Sequence, residues 1–106
     1  MSYRWPQKDP DETLDYSIDW SRFLGEGVSI STVIWFVDDA DGVKTQISEG
    51  DLVDFIQNIA QTHTNTVATI NLGSGTNNKE YKFTCQINDS TGSTSERVAK
   101  LRIKER

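Results

Sequence analysis

At 106 residues the chain has the size of one domain, long enough to bury a modest core and too short for two. Its 11 basic against 16 acidic residues leave a net charge of −5, which argues against a nucleic-acid partner, because affinity for a phosphate backbone is built from cationic contacts. One cysteine, Cys85, rules out an internal disulfide and suits folding in a reducing compartment, and no apolar run is long enough to cross a membrane as a helix.

Residues 1–12 have no hydrophobic period and are broken by Pro6 and Pro10, so they read as an extended arm on a domain of residues 13–106. The segment lacks a hydrophobic signal core, so export by that route is not expected. Tyr3 and Trp5 are unusual residues to leave in water. Either the arm folds back on its own domain, or it docks on a neighbour with these aromatics as anchors.

Leu14, Tyr16, Ile18 and Trp20 alternate with Asp15, Ser17 and Asp19, the pattern of a half-buried strand. A glycine-marked connection leads to Val28–Val37, rich in β-branched and aromatic residues. Its apolar phase slips between Ile30 and Val33, which a bulge near Ser31-Thr32 explains, as would cover on both faces. Asp38–Gly42 is a turn, Val43–Ile47 a short strand, and Ser48–Asp51 another turn. Leu52–Ala60 fits helical spacing through Leu52, Phe55, Ile56 and Ile59, and a bulged strand through Val53, Phe55 and Ile59; the lack of convincing caps favours the strand. Thr62–Asn65 is a polar turn, and strands follow over Thr66–Leu72, Tyr81–Asn88 and Thr94–Lys104. The basic run Lys100, Arg102, Lys104 and Arg106 alternates with Leu101 and Ile103, so it reads as the wet face of the last strand.

About seven strands with turn signals every 8–12 residues or so define an all-β chain, a small antiparallel β-sandwich of immunoglobulin-like build. Trp35 and Cys85 occupy positions like two core markers of antibody domains. The partner cysteine is missing and Tyr81 stands four residues before Cys85 instead of two, so membership of the antibody family does not follow.

No group of residues assembles an active site. His63, the only histidine, sits in a Thr/Asn turn without a positioned partner. Asp39-Ala40-Asp41-Gly42 resembles part of a calcium loop, yet Val37 stands where the first ligand belongs, and a hairpin turn is the default. Cys85 alternates with core residues and reads as a buried, inert thiol. Gly73-Ser74-Gly75 has no helix behind it to cradle a phosphate. Asp15 and Asp19 share a strand face about 13 Å apart at ~3.3 Å per residue, wider than paired catalytic carboxylates, so an acidic stripe facing solvent or a partner is expected. No metal and no cofactor is implied.

The lead-in Lys8-Asp9-Pro10-Asp11-Glu12, followed by Leu14-Asp15-Tyr16, Ile18 and Asp19-Trp20, resembles a family of small tailed-bacteriophage virion proteins of the fibre–tail adaptor type. The resemblance continues through Ile30–Val37, where the family has a similar serine–valine–threonine–tryptophan pattern. It extends to Tyr81, Gly92, Arg97, Leu101, Arg102 and Ile103 at the C-terminal end, and departs over residues 41–60. It implies no enzyme activity and no cofactor. It implies a structural role on the virion tail in many copies, as a ring or collar, with other tail, fibre or neck proteins as partners. Synthesis would be in the host bacterial cytoplasm.

The residues expected to meet partners are Tyr3, Trp5, Asp9, Asp11, Glu12, Asp15 and Asp19. Two other functions share the features. A capsid decoration protein would use the same acidic sandwich and arm on heads. A carbohydrate-binding module would need Trp5, Trp20 and Trp35 on one exposed platform, whereas the strand phase of Trp20 and Trp35 points inward.

Overall fold

The computed structural model describes residues 2–105. Met1 and Arg106, the outer bounds of the expected arm and domain, lie outside the described residues. Nine strands follow in chain order: β1 (Ser2–Arg4), β2 (Leu14–Asp19), β3 (Ile30–Asp38), β4 (Lys44–Gln46), β5 (Leu52–Val53), β6 (Ile56–His63), β7 (Val67–Ser74), β8 (Glu80–Asp89) and β9 (Thr94–Arg102). They form two sheets, β1-β9-β8-β3-β4 and β2-β7-β6-β5. Each pairing is antiparallel except β1 with β9, so the fold is the expected all-β sandwich.

The alternation along β2 places Tyr16 and Ile18 in the core, with Trp20 just past the strand end, while Asp15, Ser17 and Asp19 face out. In β8, Tyr81, Phe83, Cys85 and Ile87 are buried, and in β9 Ala99 and Leu101 meet them. The phase slip in β3 is a bulge: Ile30 pairs with Asp89 and Thr32 with Asn88, leaving Ser31 as the extra residue. Trp35 and Val37 then face the core together.

One expectation changes, and one alternative that the sequence leaves open is narrowed. The first concerns strand number. Leu52–Ala60 is not one bulged strand. The chain reverses at Asp54-Phe55, both at positive φ (48° and 66°), between two-residue β5 and β6. Two consecutive left-handed residues make the tight hairpin turn that Asn-Gly usually occupies, and Asp-Phe carries no such signal. Beyond the turn β6 runs to His63, where a turn was expected, with its own bulge at Ile59.

The second concerns the arm. Residues 2–12 run along the domain. β1 lies parallel to β9 in register Tyr3↔Ala99. Trp5 is only 8% exposed, stacked on Tyr16 at 4.9 Å and near Phe83 and Trp35 at 5.6 and 5.9 Å. Its indole N–H donates to the Ser17 carbonyl, and the Tyr16 hydroxyl donates to the Pro6 carbonyl. Lys8 is fully buried; its ammonium donates to the carbonyls of Ser74 (2.5 Å) and Asp9 (2.9 Å). Its backbone bridges to the C-terminal segment through Arg102 O and Lys104 N. The segment therefore closes the side of the sandwich where the edges of the two sheets, β1 and β2, lie together.

Candidate functional site

The residues singled out from the sequence separate into three places. Trp5 is core. Asp9, Asp11 and Glu12 form a self-capped turn: Asp9 Oδ1 accepts from Asp11 N–H, Glu12 Oε1 from Asp9 N–H, and Asp9 O from Glu12 N–H. Their negative charge lies over the Lys8 ammonium, whose pKa burial pulls down while Glu12, Asp9 and Asp11 pull it back up. Asp15 and Asp19 lie on the outer face of β2. The bond from Trp20 N–H to Thr66 O fixes the alternation of this strand. It directs the backbone groups of Asp15, Ser17 and Asp19 away from β7, toward the sheet edge. Trp5 takes the Ser17 carbonyl there, and the strand otherwise presents an acidic edge, the arrangement that discourages indiscriminate strand addition.

Tyr3 and Asp19 do come together, at the end of the sandwich where β1 and β2 approach. With Trp20, Arg22, Phe23 and Arg97 they line an open cleft of about 510 Å³. Three backbone features build it. The turn after β2 bonds Phe23 N–H and Leu24 N–H to Trp20 O, which stands Phe23 up against the Trp20 edge at 5.6 Å and 71°. Asp19 Oδ1 accepts from Ser21 N–H, and that bond holds the Asp19 carboxyl below the usual carboxylate range. Arg97 belongs to the inward-facing register of β9, in line with Ala99 and Leu101, so its side chain enters between the sheets. Its guanidinium lies 4.6 Å from the Phe23 ring centroid and 5.0 Å from that of Trp20. Among the described residues it has no carboxylate within ion-pair distance. An inward arginine faced by aromatic rings combines the residue types that are enriched at interface anchors.

A second feature lies at the opposite end. Phe55, at the β5–β6 turn, is 69% exposed, with Leu52 at 60% and Ile59 at 43% beside it. The turn is braced from beneath. The Tyr81 hydroxyl donates to Asp54 O at 2.7 Å and accepts from Thr76 N–H, Gly75 N–H donates to Phe55 O, and Lys79 pairs with Asp54. Tyr81 thus bonds back to the chain five residues upstream, although its spacing from Cys85 is not that of the tyrosine corner.

The remaining candidates stay structural. Asp39 Oδ1 accepts from the Asp41 and Val43 N–H groups inside a hairpin turn. His63 is exposed and bonds the Thr64 carbonyl through Nδ1. Cys85 is buried against the Trp20 indole, and burial pushes its thiol up to about 12. Trp5, Trp20 and Trp35 are all buried, so they form no exposed platform for a sugar ring.

Sequence reasoning missed Phe23, Arg97 and Phe55. Arg97 had a readable signal, a charge on the apolar parity of the last strand. Phe23 and Phe55 are turn residues; no period marks Phe23, and the spacing around Phe55 reads as helix or strand, not as a turn.

An all-β domain whose distinctive surfaces are an Arg–aromatic cleft, a braced aromatic tip and an acidic edge has the build of an interaction module. The model of the Gp77 family, described as podophage GP4 fiber-tail adaptor protein gp77, matches residues 8–102. The chain belongs to that family, a family of structural adaptors of the phage tail. No curated protein matches it closely.

Proposed function

We propose that this chain joins tail components to the fibre through protein–protein contacts alone, in multiple copies and without turnover. The observation that carries the reading is the family match over nearly the whole domain. The placement of contact features at both ends of the sandwich, suited to bridging two neighbours, supports it. Tyr3, Asp9, Asp11, Glu12, Asp15 and Asp19 are proposed to contribute to these contacts, with Trp5 acting from beneath as the packing that holds β1 and β2 together. The strand order β1-β9-β8-β3-β4 over β2-β7-β6 also supports an immunoglobulin-like description, in which Trp35 and Cys85 sit opposite each other on β3 and β8.

The test is binding of the purified chain to tail particles prepared without it, together with immunogold labelling of intact virions. Label at the tail and saturable binding are expected. Label confined to heads would replace the reading with capsid decoration.

A further inference from the structure

We propose that the Tyr3–Trp20–Phe23–Arg97 cleft of one copy receives Phe55 of a second copy, so that copies associate head to tail. The inference deepens the multi-copy part of the reading above and rests on it for its setting in the particle.

Three observations carry it. First, Phe55 is held at φ 66° in a turn that favours glycine or asparagine, and it is exposed. A bulky residue kept in a disfavoured backbone state marks a position whose side chain is wanted outside. The braces from Tyr81, Gly75 and Lys79 hold the backbone of that turn before contact, so only the ring itself remains to be ordered on docking.

Second, the two features cannot satisfy each other within one chain. Ile56 pairs with Ser74 at one end of β7, and Asp19 with Val67 at the other. The tip and the cleft are thus separated by the length of that strand, about 23 Å at ~3.3 Å per residue. A contact between unlike surfaces at opposite ends is heterologous; repeated, it closes a ring or continues as a filament, according to the rotation between copies.

Third, the charges complement. Lys8 connects the Asp9–Glu12 turn to Ser74, and Gly75 connects Ser74 to Phe55, so three carboxylates lie at the tip end. Lys79 there is engaged by Asp54, Arg102 stands opposite Glu80, and Lys104 is exposed. The cleft offers the Arg97 and Arg22 guanidiniums, with Asp19 as its own carboxylate. An aromatic knob beside acidic residues therefore meets aromatic walls carrying arginine.

The test uses disulfide trapping on the purified full chain. Ser21→Cys marks the cleft rim, and Thr76→Cys marks the tip; both positions are exposed. Cys85 is buried and stays silent, so its lack of reaction with a thiol reagent also reports that each variant is folded. The two variants, differing in mass by a tag, are mixed in equal amounts at low salt and oxidised. Mixed dimers are expected over like dimers by about tenfold, the worth of one aromatic anchor. Phe55→Ala in the Thr76→Cys chain should return the ratio to statistical. A statistical ratio with Phe55 present, or enrichment that survives Phe55→Ala, overturns the proposal. No tail component is present, so failure here leaves the adaptor reading standing. Failure to bind tails leaves the head-to-tail contact standing in turn.

Discussion

Trp5 shows how little a residue's setting can be read from its neighbours in sequence. It lies between Arg4 and Pro6 with no period around it, yet its indole contacts Tyr16, Trp35 and Phe83 from three strands. Trp5→Ala should cost about 3–5 kcal/mol in chemical denaturation, as for a large core side chain. Gly75 is equally constrained. Its φ is 105°, and a Cβ would stand 2.9 Å from the Ile103 side chain, so Gly75→Ala should cost about 2 kcal/mol or more by the same measurement. Cys85 makes a pH prediction. Its thiol ionises near 9.0 when unfolded and near 12 when folded. The folded state therefore retains the proton over that interval. The stability this gives is complete below about pH 9 and lost as pH climbs toward 12. Raising the pH from 8 to 10.5 should cost the native chain about 2 kcal/mol more than it costs Cys85→Ala.

At the scale of elements, the β5–β6 hairpin sets stability against presentation of a side chain. Phe55→Gly places the preferred residue in the left-handed turn position and should raise stability by about 1 kcal/mol while removing the exposed ring. Thermal denaturation reads the first effect and disulfide trapping the second; a loss of stability would mean that the turn is not strained. Asn58 has a different part. Buried in β6, it donates to Ile47 O at 3.0 Å and Gln61 Oε1 at 2.8 Å, and its backbone exchanges bonds with Gly50 and Asp51. These bonds hold the β4–β5 loop along an otherwise open stretch of β6. The exposed pairs Arg4–Glu80 and Lys44–Glu96 hold little by comparison, because water and salt screen them.

For the molecule as a whole, the N-terminal segment is the closing part of the sandwich. Deleting residues 1–12 removes β1, Trp5 and the buried Lys8 together. The truncated chain should lose its cooperative thermal transition, or melt at least ~20 °C lower, as followed by circular dichroism. A truncated chain with native stability would mean that the segment merely decorates the domain. Tests of docking are therefore better made with single surface residues, such as half-buried Tyr3 or exposed Asp15 and Asp19, than with the truncation.

The strands that carry one wet and one dry face were legible in the sequence. The period of two along Tyr16–Trp20 and Tyr81–Ile87 follows from backbone geometry alone, and even the Ser31 bulge left its mark as a slipped phase. That information is local, so a chain read residue by residue contains it, and with it the class of fold. The site was not local. Leu52, Phe55 and Ile59 read as core because they are apolar, and only the completed sheets reveal that nothing covers them. The parity of Arg97 hinted at an inward charge, but the rings of Trp20 and Phe23 that receive it come from the edge of the other sheet, more than seventy residues earlier in the chain. Which surfaces end up facing outward, and which distant residues meet there, is decided by long-range packing, and no short-range pattern encodes that.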